Sequence, residues 1–167
     1  SHGVYLAHRQ GVKPMKLCHT SPKEIKKIDQ FGNFEDCLFF SARVYQMAIG
    51  EVITYSIDAE NMDFIEAWKL SDDEIAAEIA KKIASRTFED QDFELAEELL
   101  DTSKNLWKVG FDLGLDSEDI AEIDWFIQAK RGQCAKKMGF DGCLDEDEQG
   151  AVYIIPMLGR ESILIKE

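Results

Sequence analysis

Met138-Gly-Phe-Asp-Gly-Cys-Leu-Asp-Glu-Asp-Glu-Gln-Gly-Ala-Val-Tyr-Ile-Ile-Pro156 reads as strand, acidic turn, strand. Gly139 closes the helix before it, because glycine reaches the left-handed C-cap geometry at little cost. Residues 140–144 make a short strand. Residues 145–150 are too polar to bury and end in glycine, so they form a connecting loop. Residues 151–155 are a β-rich run stopped by Pro156. Asp145, Glu146, Asp147 and Glu148 are consecutive carboxylates that repel one another. Two readings stand for them. One is a solvated loop on an acidic chain. The other is a carboxylate held at a cleft edge to meet a developing positive charge.

Upstream, residues 117–138 carry Ile120, Ile123, Phe126, Ile127 and Cys134 at helical spacing. Lys130, Arg131, Lys136 and Lys137 crowd the end of that helix, where cations complement its dipole. Residues 92–109, with Phe93, Ala96, Leu99, Leu100, Leu106 and Trp107, are also expected to be helical. Ser71-Asp-Asp-Glu74 is a capping box ahead of Ile75, Ile79 and Ile83. These stripes are scaffold. Strands are expected at residues 16–20, 37–41, 52–57 and 162–165. Ser21-Pro22, with Glu24 three residues after Ser21, is expected to open a short helix with Ile25 and Ile28 on one face. A second short helix is expected at residues 42–49, stopped by Gly50. Residues 1–14 carry His2 and His8 without periodicity and read as an expression remnant or flexible extension. Residues 15–167 then form a single α+β domain, in the order strands, helices, strands.

A chain of 167 residues with 45% hydrophobic content can bury one proper core. The net charge of −14 repels phosphate backbones and favours a basic protein partner, so no direct nucleic-acid binding is expected. No membrane span, signal peptide or metal site is expected. The cysteines (Cys18, Cys37, Cys134, Cys143) form no CxxC pair. Cys18, Cys37 and Cys143 sit in apolar strand contexts, so they read as buried free thiols in a cytoplasmic setting.

Three pieces lie in or beside strands: Leu17-Cys-His-Thr-Ser21, Leu38-Phe-Phe-Ser41 and the acidic stretch ending at Gly150. In that order they resemble the ADP-ribosyltransferase family. The resemblance is closer still to the anti-CRISPR ADP-ribosyltransferases directed at the type I-F surveillance complex. It rests on Met15…Leu17-Cys-His19-Thr-Ser21, Arg131-Gly132, Met138-Gly-Phe140 and Glu146-Asp-Glu-Gln-Gly150, and covers the two ends of the chain rather than its helical middle.

The resemblance implies an ADP-ribosyltransferase-like α+β fold, with small split β-sheets and a helical insertion in the middle. It implies a mono-ADP-ribosyltransferase that takes NAD and modifies a protein target. That target would be a subunit of a type I CRISPR-Cas surveillance complex, met by a phage-encoded protein in the cytoplasm of a bacterial host. Cleaving the nicotinamide–ribose bond passes through an oxocarbenium-like state, which a nearby carboxylate stabilises. Asp147 holds the acidic place, flanked by Glu146 and Glu148, which alternation turns to the other face if the strand reaches that far. His19 would hydrogen-bond a ribose hydroxyl, with Thr20 and Ser21 beside it. Phe40 or Tyr45 would stack on the nicotinamide, and Ser41 would brace the site. Each of these residues also has a plain structural reading: a satisfied strand histidine, a core phenylalanine, a serine helix cap. Thr20 stands where the family usually has glycine, and Gln149 where it has histidine. An inactive NAD-binding domain, a non-catalytic acidic blocker of a nucleic-acid-binding partner and an NAD glycohydrolase toxin are compatible with the same residues.

Overall fold

The structure is a computed structural model that describes residues 15–42, 51–88, 90–147 and 150–167, the side chain of Asp147 excepted. The described elements are β1 (Lys16–Ser21), β2 (Cys37–Phe40), β3 (Ile53–Asp58), β4 (Phe64–Glu66), α1 (Glu74–Thr87), α2 (Phe93–Leu100), α3 (Leu106–Asp112), α4 (Ser117–Lys137), β5 (Gly142–Asp147), β6 (Gly150–Pro156) and β7 (Ile165–Lys166). The fold is α+β with two small sheets, consistent with an ADP-ribosyltransferase-like fold. The helix expected at residues 42–49 lies outside the described residues. Among the described residues, no helix is long and apolar enough to cross a membrane.

One sheet has the order β1-β3-β7 and the other β2-β6-β5-β4, with β4 parallel to β5 and the other pairings antiparallel. Among the described residues, one isolated bridge links them. The Cys18 N–H donates to Ser41 O at 2.8 Å, and the Ser41 N–H returns to Cys18 O at 2.9 Å.

Alternation along β6 divides the core in two. Val152 and Ile154 join the helices' cluster with Ile79, Ile83, Leu99, Ile120 and Ile127. Tyr153 and Ile155 face the other way, into a cluster with Leu17, Phe40, Ile57 and Met157. The four cysteines are buried free thiols. Burial pushes the Cys134 thiol up to about 11, and pushes those of Cys37 and Cys143 further up.

Helix α4 can lie close on β2 and β6 because residue 132 is glycine. A Cβ there would stand 2.9 Å from Cys37 Sγ and 2.9 Å from Ile154 Cγ2. Helix propensity alone favours alanine by about 1 kcal/mol, but overpacking a dense core costs about 1–3 kcal/mol. Gly132→Ala is therefore expected to lower stability in urea unfolding. A more stable variant would contradict this packing.

Several boundaries differ from the sequence reading. Residues 22–36 form no helix, because their backbone groups have partners elsewhere. Ser21 Oγ accepts from the Lys23 N–H, the Ile25 N–H donates to Tyr55 Oη, and the Ile28 N–H donates to Glu161 Oε1. The helix expected over residues 92–109 is two helices. Thr102 takes a positive φ of 65°, and Asp101 Oδ1 accepts from the Ser103 N–H. Asn105 then caps α3 by accepting from the Lys108 N–H. Helix α1 is capped by Asp73 rather than Ser71. The expected strand at 162–165 is a 3-10 turn, Glu161–Ile163, followed by two strand residues. Strand β4 carried no legible sequence signal. The loop expected at 145–150 is shorter, since β5 runs on to Asp147, which pairs with Gly150.

Candidate functional site

In β1, Leu17 and His19 share a face by strand alternation, and Leu17 is buried in the cluster between the sheets. The bridge to Ser41 then brings the end of β2 beneath the His19 ring. His19 Nδ1 lies 2.8 Å from Phe39 O. A carbonyl can only accept, so Nδ1 carries the proton and Nε2 is left with a lone pair. The His19 ring is tilted against that of Phe40, with centroids 5.6 Å apart.

Burial lowers the His19 pKa below its ordinary 6.5, and the Phe39 carbonyl opposes that shift. A depressed folded value means stability that is present above pH 6.5 and lost as pH falls through the lower folded value. The ring is thus neutral at neutral pH. We expect its Cε1–H resonance, assigned by its absence in His19→Asn, to titrate with a midpoint under 6.5. A midpoint above that value would mean that the ring is solvated or sits beside an anion.

Thr20 is half-buried opposite Thr54 across β1 and β3. Ser21 is buried, its hydroxyl donating to Lys23 O at 2.6 Å. Ser41 is buried at the bridge between the sheets. Phe40, expected as a stacking ring, is placed in the core. It is 1% exposed, packed among Leu17, Ile57 and Tyr153, and as placed it has no open face on which a ring could stack. A strand-end phenylalanine pointing between two sheets is worth more as core, because full burial contributes about 1.5–3 kcal/mol. Tyr45, Glu148 and the Asp147 side chain lie outside the described residues.

The acidic stretch is not uniform. Cys143 packs in the helices' cluster and Leu144 against the one between the sheets. Asp145 follows Cys143 toward α4, where its Oδ2 accepts from Arg131 Nη1 at 3.0 Å. Glu146 alternates to the face of Leu144. It is exposed, lies opposite Ala151 across the hairpin, and its N–H donates to Asp145 Oδ1 at 2.8 Å. Leu144 in turn pairs with Tyr153, and Tyr153 with Phe40. Glu146 therefore stands on the same sheet face as Phe40, the residue that the His19 ring touches.

Arg131 is the residue whose role the sequence reading missed. It was expected to complement its own helix's dipole. Instead it reaches the C-terminus of α2, where Nε donates to Leu100 O at 3.0 Å and Nη2 to Leu99 O at 2.8 Å. With Asp145 it joins the helical middle to the acidic hairpin. Its signal was an arginine next to a glycine inside an otherwise apolar stripe, a poor place for an unpaired cation.

The geometry joins an imidazole with a free acceptor nitrogen to the sheet face on which an acidic hairpin ends. A solved structure described as "Crystal structure of an anti-CRISPR protein" is similar at 24% sequence identity and a TM-score of 0.49, covering 87% of this chain and 91% of that one. No curated protein matches. A family model described as Anti-CRISPR Type I-F ADP-ribosyltransferase AcrIF11 matches residues 15–161, from the start of the first sheet to past the acidic hairpin. A match over that much of the sequence shows that this chain belongs to the family of anti-CRISPR type I-F ADP-ribosyltransferases.

Proposed function

We propose that this protein transfers one ADP-ribose from NAD to a side chain of a type I-F CRISPR surveillance complex. The observation that carries this reading is the family match over residues 15–161. NAD is the co-substrate that the family's reaction implies. When bound, it would supply a nicotinamide–ribose bond whose cleavage leaves positive charge on the ribose.

The chain's own residues fit such a group. Neutral His19, its Nδ1–H held by Phe39 O, offers Nε2 to a sugar hydroxyl. The Phe39 bond fixes the ring, so its lone pair needs no reorganisation to bind. Thr20 and Ser21 continue the same strand and would lie beside the dinucleotide. Ser41 holds β1 and β2 together at that edge. The acid comes from the hairpin: Asp147 in the family's acidic place, with Glu146 and Glu148 beside it. A carboxylate there offsets charge that develops only as the bond breaks, so its stabilisation acts on the transition state. Tyr45 is left as the proposed stacking aromatic, since Phe40 is buried.

The test is incubation with labelled NAD and a purified type I-F surveillance complex. Label on a protein subunit is the expected result. Inhibition at one-to-one stoichiometry without NAD would instead identify a charge-based blocker, a reading to which the net charge of −14 also lends itself. Free ADP-ribose released at the same rate with and without the complex would identify a glycohydrolase.

A further inference from the structure

Helix α3 carries none of the candidate site residues, and its outer side exposes large apolar residues beside Lys108 and Asp112. Trp107 is 38% exposed, Phe111 58% and the adjoining Leu113 57%. Trp107 and Phe111 are four residues apart on one helix face, with ring centroids 6.0 Å apart. This is not loose packing. Gly110 is buried against α4, where an added Cβ would lie 2.6 Å from Ile120 Cγ1, and Leu106 is buried too. The inner side of α3 is thus seated, and its aromatic side is left outside. Exposed apolar residues gathered on one face, rimmed by polar ones, are a feature of interaction sites.

Beside this face runs an open groove between α2 and α3. Leu95, Val109 and Leu113 supply its apolar lining. Asp92, Glu94, Glu98 and Asp112 supply carboxylates, and the groove's one lysine, Lys104, is matched by Glu98 at 3.3 Å. Charge decides the occupant. A second copy of this chain, also at −14, would bring like charge to a face already rich in carboxylates. Nucleic acid and anionic lipid are repelled for the same reason.

We propose that α3 and the α2–α3 groove form a docking surface for a protein segment that presents apolar side chains flanked by Lys or Arg. The apolar residues cover Trp107, Phe111 and Leu113, and the cations meet the carboxylates of the groove. This surface uses none of the residues assigned to NAD, so it stands or falls independently of the transfer chemistry.

The test uses the full chain and a fluorescent peptide of about 18 residues, long enough to hold a helix, with Leu and Lys at amphipathic spacing. A counterpart with Glu in place of Lys is the control. Fluorescence anisotropy should show binding of the Lys peptide and none of the Glu peptide. Phe111→Ser/Leu113→Ser, whose side chains are more than half exposed, should keep the thermal melt and weaken binding about tenfold or more. Trp107→Ala should weaken it in the same direction. Equal binding by wild type and both variants would reduce the effect to bulk charge and overturn the proposal. So would binding of the Glu peptide, or sedimentation showing a dimer that Phe111→Ser/Leu113→Ser dissolves.

Discussion

Asp147→Ala is expected to lower NAD-dependent label transfer by about a hundred- to a thousandfold, the range seen when one electrostatic stabiliser of a transition state is removed. The melting temperature should stay near that of the wild type. Alanine keeps the backbone pairing of residue 147 with Gly150. It also removes one of the consecutive like charges at positions 145–148, which relieves repulsion. Glu146→Ala, on the sheet face of Phe40, should cost less, about tenfold, by weakening the field at the same edge. The reverse ranking, with Glu146→Ala inactive and Asp147→Ala unaffected, would move the acid to Glu146. Full activity in single alanine variants of Glu146, Asp147 and Glu148 would remove the hairpin from the chemistry altogether.

Arg131→Met should cost about 3 kcal/mol or more, because it breaks a largely buried ion pair and strands its partner. Three acceptors lose a donor at once: Leu100 O, Asp145 Oδ2 and Leu99 O, the last keeping a long bond from the Thr102 N–H at 3.4 Å. The two carbonyls close a helix, and a buried acceptor left unsatisfied costs about 1–3 kcal/mol. For a chain of this size, 3 kcal/mol corresponds to a melting-temperature loss of about 6–12 °C. Adding Asp145→Leu should recover only part of the loss. The second change removes the stranded carboxylate but does not restore the donors to the Leu99 and Leu100 carbonyls. A melt of Arg131→Met within a degree or two of the wild type would show that water replaces the guanidinium at little cost. Arg131 and Gly132 sit side by side, yet they act on different neighbours. The glycine lets α4 approach Cys37 and Ile154. The arginine ties α4 to the end of α2 and to β5.

The strands that carry the candidate site were legible because they have local signatures. Leu17-Cys-His-Thr, Cys37-Leu-Phe-Phe and Ala151-Val-Tyr-Ile-Ile are strands in the structure, as their β-branched, aromatic and alternating residues predict. The two strands that carry the early histidine and the mid-chain serine are joined where Cys18 bridges to Ser41. The burial of Phe40 was not legible, because a strand pattern says which residues share a face, not whether that face opens on solvent or on a second sheet. The helix expected after Ser21 failed for a comparable reason. Its capping box is a local signal, and it lost to a bond between residues 28 and 161.

By itself the sequence determined the helical periods of α1 and α4, the presence of β1, β2, β3 and β6, the buried thiols and the family's motifs in their order. All of these depend on spacing along a few turns or a few strand residues. Only the tertiary structure decided which carboxylate turns to α4 and which to the sheet face of Phe40, where Arg131 spends its donors, and that the aromatic side of α3 stays uncovered. In a strand, a shift of one residue reverses the face of each side chain. The partner of a buried charge can come from any part of the chain. Neither can be read from local pattern, because both depend on groups that the chain brings together only when it folds.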